Sequence, residues 1–184
     1  MSDDGRAMTR TMRRLRAVRD YGAQPVDERL LAEILAVARW TGSAENRQPW
    51  RFVVIRDPDS LRRLGALMPN APQVARAPLA VGVVMPGDRA VLDAYDEGRA
   101  AERILLAATA LGLGAAVGWV PQEARGEAAG LLGVPEGRLL RSVIAIGHPS
   151  PAAGAPRSRP GTARLPIEEL VHWERWGEPA DARD

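Results

Sequence analysis

The amino-acid sequence predicts a single domain of the α+β or α/β class. Four apolar segments of strand length are separated by segments with helical periodicity, and turn residues punctuate the boundaries. The chain has 184 residues, of which 46% are hydrophobic, so it can build one packed core but is short for two. We therefore expect residues 1–184 to form one domain, with residues 1–8 disordered because they are polar and terminal.

Helices are predicted where apolar residues recur at intervals of three and four. The clearest stripe runs from Leu30 to Ala38, and Asp27 just before it is a suitable N-cap. The predicted helical segments are residues 9–19 (a short basic helix or turn), 30–38, 57–67, 93–113 and 122–132. The predicted strands are residues 51–56, 79–85, 115–120 and 140–146, and the first of them is expected to be buried.

The C-terminal region differs from the rest of the chain in composition. Residues 150–163 are rich in proline, glycine, alanine and serine, which is typical of an extended connection. Trp173 and Trp176 follow near the terminus, and such large rings are costly to leave in water, so they should pack on their own domain or on a second subunit. We expect residues 150–184 to form an extended arm that reaches a partner.

Composition excludes several classes of function. The sequence has no cysteine and only two histidines, His148 and His172, so disulfides are excluded and a metal site is not expected. All 25 basic residues are arginine, yet the net charge is only +2, which argues against a nucleic-acid partner. No apolar run reaches the length of a membrane span, so we expect a cytoplasmic protein without a membrane partner.

The most informative segment is residues 38–52, between a predicted helix and a predicted strand. Gly42 and Ala44 allow a ligand to approach the backbone, and Pro49 stops helix propagation. The hydrogen-bonding residues of the segment are Thr41, Ser43, Asn46 and Gln48. This composition suits a flat, polar heteroaromatic ligand, although an ordinary helix-to-strand loop has a similar one.

The sequence offers no nucleophile paired with a base, which indicates that a cofactor carries any difficult chemistry. A flat heteroaromatic cofactor with a phosphate tail would need cations at its phosphate, polar partners at the edge of its ring and a donor near its reactive ring atom. The arginines of residues 9–19 could supply the first, Ser43 and Asn46 the second, and the glycine-rich residues 114–120 the third. The alternatives are a solvated basic face for the arginines and simple helix-end punctuation for the glycines.

Four motifs in chain order resemble the nitroreductase family of FMN-dependent oxidoreductases. Residues 16–26 resemble the family's R-S-V-R-x-F/Y…P-V motif, with Ala17 in place of the serine, and residues 43–50 match S-x-x-N-x-Q-P-W. Residues 106–114 resemble L-A-A-x-A-L-G-L-G at the end of a long helix, and residues 163–176 resemble the C-terminal element.

The resemblance implies an α+β fold with a central mixed or antiparallel sheet flanked by helices. It also implies an intertwined homodimer, with the C-terminal arm crossing to the partner and two FMN sites at the interface. Arg16, Arg19 and Arg164 would hold the phosphate, and no side chain would be a certain catalytic group. The implied cofactor-binding residues are Arg16, Ala17, Arg19, Gly42, Ser43, Ala44, Asn46, Asn70, Val117, Gly118, Trp119 and Arg164.

The resemblance further implies that NADH or NADPH reduces the flavin, which then reduces nitroaromatic, quinone or related acceptors by a ping-pong mechanism. Glu45 or Arg47 is a candidate contact for the acceptor. The alternatives are a dehydrogenase or other specialised enzyme of the same fold that uses flavin and oxygen, and a non-catalytic flavin-binding protein. A basic nucleic-acid-binding module is a third alternative and predicts a colourless protein.

Overall fold

The computed structural model describes residues 3–154 and 164–178. The chain separates into two compact units, Met1–Gly154 and Ala155–Asp184, and each is described by itself. The first unit contains every long helix and strand in the described ranges. The prediction of one domain over the whole chain stays a prediction.

The centre of the first unit is a four-stranded sheet. Its strands are β1 (Arg51–Ile55), β2 (Leu79–Met85), β3 (Gly114–Trp119) and β4 (Leu139–Gly147). They lie in the order β1-β2-β4-β3, and every neighbouring pair is antiparallel. The fold is therefore α+β, and all four predicted strands are present at the predicted places.

The described residues of this unit form five α-helices, and the first of them lies against the fourth. They are α1 (Asp3–Arg14), α2 (Glu28–Arg39), α3 (Pro58–Ala66), α4 (Ala90–Ala110) and α5 (Arg125–Leu131). Asp27 caps α2 as predicted, because its carboxylate accepts a hydrogen bond from the backbone N–H of Arg29 at 2.7 Å. Residues 3–8, for which the sequence predicts disorder, differ: they form the first part of α1, with acidic Asp3 and Asp4 in its first turn and arginines in its last.

The core consists of two apolar layers, one on each face of the sheet. On one face, α2 and α4 contribute Ile34 and Ile104, which pack with the odd-numbered residues of β2 and with Ile144 and Ile146 of β4. On the other face, Leu64 and Met68 pack around Val84. The central strands β2 and β4 are buried on both faces, which explains their continuous apolar sequences.

Strand β1 is less buried than the sequence predicts. Of its five residues only Ile55 is buried, because β1 pairs with β2 alone and forms one edge of the sheet. An apolar run does not distinguish an edge strand from a central one when its neighbours are unknown.

Helix α4 begins with buried acids. Asp93, Asp96 and Glu97 are all buried in its first half, and the Arg141 Nε donates to Glu97 Oε2 at 2.8 Å. Arg141 lies at an irregularity in the β2–β4 register, which directs the guanidinium toward the helix. The helix starts three residues before the predicted position, since charged side chains near its start obscure the apolar pattern.

In the second unit, residues 164–178 contain a short 3-10 helix, Ile167–Glu169. The rings of His172 and Trp176 lie 4.4 Å apart between centroids. Residues 151–154 of the predicted arm form a 3-10 turn, and residues 155–163 lie outside the described ranges. In the described parts of the chain, no helix combines the length and apolar character needed to cross a bilayer.

Candidate functional site

The segment after α1, residues 15–21, runs beside the free edge of β3; we call it the strap. Ala17 forms a parallel bridge with Ala115, and the Val18 N–H donates to the Ala115 carbonyl at 3.0 Å. A Cβ on Gly114 would lie 2.5 Å from Val18 Cγ1, so glycine is needed for this close approach. The strap is thus fixed by backbone contacts.

Tyr21, the last residue of the strap, connects it to strand β4. Its hydroxyl lies 2.6 Å from the Val18 carbonyl oxygen and 3.2 Å from that of Ala145, so it donates to one of two buried acceptors. Burial raises the pKa of Tyr21, which favours the neutral phenol that can donate this bond.

Arg16 and Arg19 project from the strap and are exposed. Arg16 Nη1 donates to the Arg13 and Leu15 carbonyls at 2.8 and 2.7 Å. Neither guanidinium is paired with a carboxylate in the part of the chain that the structure describes. Two unpaired guanidinium groups on a fixed backbone are suited to a phosphate.

The backbone of β3 presents donors along the same edge. The Ala115 carbonyl accepts from the strap, while the Val120 N–H donates to the Arg141 carbonyl near the start of β4, at 2.8 Å. Because polar groups of successive residues alternate in direction along an antiparallel strand, the N–H groups of Val117 and Trp119 point away from β4. These two predicted site residues therefore offer backbone donors at the sheet edge.

Side chains around β3 differ between its two faces. A Cβ on Gly118 would lie 2.5 Å from Met68 Cε and 2.8 Å from Ala71 Cβ, so glycine lets the loop that carries exposed Asn70 pack on the strand. Trp119 faces the opposite side, is 53% exposed, and has the Arg125 guanidinium 5.4 Å from its ring centroid. The structure thus brings the strap, the Asn70 loop and Trp119 to one strand.

The loop between α2 and β1 has a strained backbone in residues 43–48; we call these residues the polar loop. Glu45, Asn46 and Gln48 have φ values of 54°, 53° and 47°, in the left-handed region that non-glycine residues seldom adopt. Ser43 Oγ accepts from the Gln48 N–H at 2.9 Å and closes the loop. Such strain persists where the surroundings fix it, and it is concentrated at functional sites.

The polar loop borders an open recess with a volume of about 380 Å³. Its lining residues are Arg39, Trp40, Thr41, Gly42, Asn46 and Gln48. Thr41 is buried and donates to the Ala38 carbonyl at 2.7 Å, so the end of α2 supports the recess. Of the predicted site residues, Gly42 and Asn46 therefore line the recess, and Ser43 and Ala44 lie beside it in the same stretch of chain.

The polar loop is held by α4. Arg99 lies against Gly42, where a Cβ would be 2.7 Å from its Nη2. Arg47 turns inward, with its Nη2 at 3.4 Å from Asp93 Oδ1, while Glu45 stays exposed at 4.0 Å from Arg89. The Arg47 guanidinium is thus engaged with buried Asp93 and anchors the loop. The expectation that Glu45 or Arg47 contacts the acceptor stays a prediction.

Sequence reasoning missed Asp93, Arg99 and Tyr21 as supports of the site. For Asp93 a signal was present, since it is a carboxylate in the first turn of a helix otherwise rich in alanine. Arg99 and Tyr21 are recognised only from their three-dimensional neighbours. Arg164 belongs to the second unit, so its role at the phosphate stays a prediction.

Known proteins support the family resemblance. The model of the nitroreductase family matches residues 12–92. A Methanothermobacter thermautotrophicus protein, provisionally named an NADH dehydrogenase/NAD(P)H nitroreductase, is 33% identical over 166 residues, covering 88% of this chain and 83% of the relative. The NADH dehydrogenase of Thermus thermophilus is 31% identical over 206 residues, covering 91% of this chain and 95% of the relative.

Solved structures share the fold. An FMN-dependent nitroreductase from Clostridium difficile has a TM-score of 0.78 and 22% identity, covering 90% of this chain and 98% of its own. The NADPH:FMN oxidoreductase of Vibrio harveyi, solved with NAD+, has a TM-score of 0.80 and 22% identity, covering 93% of this chain and 78% of its own.

The antiparallel sheet, the strained loop and the strap define a protein of the nitroreductase-like fold. The chain belongs to the nitroreductase family. The predicted family and the predicted class of enzyme, an oxidoreductase of this family, are confirmed.

Proposed function

We propose that this chain is an FMN-dependent oxidoreductase that uses NADH or NADPH to reduce nitroaromatic, quinone or related acceptors by a ping-pong mechanism. The names of its relatives support the nicotinamide and the nitroreductase activity. The observation that carries the proposal is the pair of exposed guanidinium groups of Arg16 and Arg19 on a strap fixed to β3, since neither forms an ion pair with a carboxylate among the described residues. A phosphate with its two or more acceptor oxygens matches that pair.

The residues present fit FMN chemically. Arg16 and Arg19 would hold the phosphate, and the outward N–H groups of Val117 and Trp119 would donate to the ring system. The hydroxyl of Ser43 and the amide of Asn46 are polar partners suited to its pyrimidine edge. Ala17 lacks the hydroxyl that the family motif has, so the strap supplies its phosphate contacts through arginine and backbone alone.

When bound, FMN supplies the hydride transfer, so the chain has to bind, orient and expose it. Guanidinium groups would fix the phosphate, and the strand edge would fix the ring through backbone donors whose positions do not depend on side-chain rotamers. The recess of about 380 Å³ beside Trp40 and Gln48 is open to solvent and could admit an acceptor.

We also propose the homodimer with FMN sites at its interface and the C-terminal arm crossing to the partner. Large apolar side chains remain exposed on the first and fourth helices, where a monomer would leave them in water. They include Met8, Met12, Val91, Leu92 and Tyr95. A second subunit covering this surface would bury them, and sedimentation of the purified protein tests the assembly directly.

The proposal is tested by purifying the protein, adding FMN and following its visible absorbance with NADH, then NADPH, without oxygen. Bleaching by either nicotinamide, followed by recovery on addition of a quinone or nitroaromatic, is the expected result. Bound flavin that neither nicotinamide bleaches would favour a non-catalytic flavin protein. Turnover that needs oxygen instead of nicotinamide would favour the flavin and oxygen-dependent alternative.

A further inference from the structure

We propose that Asp93 is a positioning residue, which holds the polar loop in its flavin-binding conformation through a buried ion pair with Arg47. The inference rests on the proposed function, because it takes the polar loop to contact FMN. It concerns a side chain on α4 that points to the loop from inside the protein.

Asp93 is fully buried and has two partners. Its Oδ2 accepts from the Gly87 N–H at 2.9 Å, and its Oδ1 lies 3.4 Å from Arg47 Nη2. A buried carboxylate is costly unless it is paired and hydrogen-bonded. The Gly87 contact ties Asp93 to the turn before α4, so the carboxylate itself has a fixed position from which it can hold Arg47.

The polar loop needs an external support. Arg47 has an ordinary helical φ of −59°, but its neighbours Asn46 and Gln48 are both left-handed. The hydrogen bonds from Gln48 to Ser43 and Asn46 lie within the loop and do not attach it to the scaffold. Contacts at its two ends attach the loop to Arg99 of α4 and to Arg51 of β1, whose Nη1 donates to the Gln48 carbonyl at 3.1 Å. The Arg47 side chain attaches the centre of the strained backbone, so its loss should release the unfavourable φ values.

A second carboxylate provides the matched comparison. Asp88 Oδ1 lies 3.6 Å from the same Arg47 Nη2, but its side chain is 65% exposed whereas that of Asp93 is 0% exposed. Water and salt screen an exposed pair strongly and a buried pair little. The substitutions Asp93→Asn and Asp88→Asn therefore remove the same charge from the same guanidinium at nearly the same distance, and differ in burial.

The test measures hydrogen exchange of residues 43–48 in the FMN-free protein and the Kd for FMN by fluorescence titration. We expect D93N to accelerate exchange and weaken FMN binding by about tenfold each, as for loss of one charge-assisted hydrogen bond. D88N should change both by less than about twofold. Arg47→Gln, which removes the ion pair from its other end, should behave like D93N and replaces it if D93N does not fold.

The proposal would be overturned if a folded D93N protein, with core exchange like the wild type, matched D88N in both measurements. Faster exchange with an unchanged Kd would also overturn it, because the loop would then be held for another purpose. Failure of the wild type to bind FMN would contradict the proposed function, whereas the exchange rates of the FMN-free variants would still show whether Asp93 holds the loop.

Discussion

The strap and the polar loop contribute to the candidate site in different ways. The strap is held to β3 by backbone contacts of Ala17 and Val18. Its arginines are exposed, and within the described ranges Arg16 donates only to nearby backbone carbonyls. The polar loop is held by side chains, through Arg47 and the Gly42–Arg99 contact, and its backbone is strained. Substitutions of exposed strap side chains should therefore affect ligand binding alone, whereas substitutions that support the polar loop should affect binding and local order together.

The largest expected effect comes from the strap arginines. Replacing Arg16 and Arg19 together by alanine should weaken FMN binding by about 100-fold or more, because charge-assisted hydrogen bonds contribute about 1.5–3 kcal/mol each. The unfolding free energy of the FMN-free protein should change by less than about 0.5 kcal/mol, since both side chains are exposed. Fluorescence titration and urea unfolding measure the two quantities.

The matched control for the strap arginines is Arg13→Ala with Arg14→Ala. These residues are exposed at the end of α1 and carry the same charge, but they do not lie on the strap. Equal weakening of FMN binding by both pairs would mean that only net charge matters, and this would contradict the phosphate site.

The second effect tests the backbone attachment of the strap. Gly114→Ala places a Cβ 2.5 Å from Val18 Cγ1, so strap and strand must separate, and the protein should lose about 1–3 kcal/mol of stability. FMN affinity should fall as well, since both strap arginines move. Gly130→Ala in α5 meets no atom within 4 Å and should leave both quantities nearly unchanged or raise stability slightly. An unaltered Kd for FMN in a folded G114A protein would show that FMN binding does not depend on the position of the strap.

A smaller effect is expected at Tyr21. Tyr21→Phe keeps the ring but removes the donor to the Val18 and Ala145 carbonyls, which should cost about 1 kcal/mol of unfolding free energy. Hydrogen exchange should quicken in the strap and stay unchanged in the polar loop, because Tyr21 contacts only the former. Equal acceleration in both regions would argue that the two are one cooperative unit.

The same residue gives a pH dependence. Burial raises the pKa of Tyr21 in the folded protein above the value of about 10 that an exposed tyrosine has. Above pH 10 the unfolded chain therefore releases a proton that the native protein retains, so stability should fall by up to about 1.4 kcal/mol per pH unit. Urea unfolding between pH 8 and about 11 should show this decline in the wild type and less of it in Y21F.

Much of the fold could be predicted because local pattern and tertiary structure agree. The apolar runs at residues 79–85 and 140–146 are the central strands, and the N-cap Asp27 lies where the sequence places it. The pattern could not identify β1 as an edge strand, since this depends on which strands pair. It also missed the helical structure of residues 3–8, whose polar composition is typical of a free terminus.

The site could be predicted only as a set of segments. Motif spacing located the strap and the polar loop, but the direction of a charged side chain depends on distant neighbours. In the sequence, Arg47 is a candidate ligand contact. In the structure its side chain turns inward because it pairs with buried Asp93, which is 46 residues away along the chain and could not be identified as its partner from the sequence. Conversely, Gly114 and Gly118 look like punctuation, yet each permits a close approach of another segment to β3.

The most direct test of the account is an anaerobic redox titration of the purified protein with FMN. We predict that the chain retains FMN through gel filtration, that NADH or NADPH bleaches the flavin absorbance, and that a quinone or nitroaromatic restores it in a separate step. The R16A/R19A protein should remain folded and elute without flavin. A wild-type protein that elutes colourless after incubation with FMN would contradict the central claim.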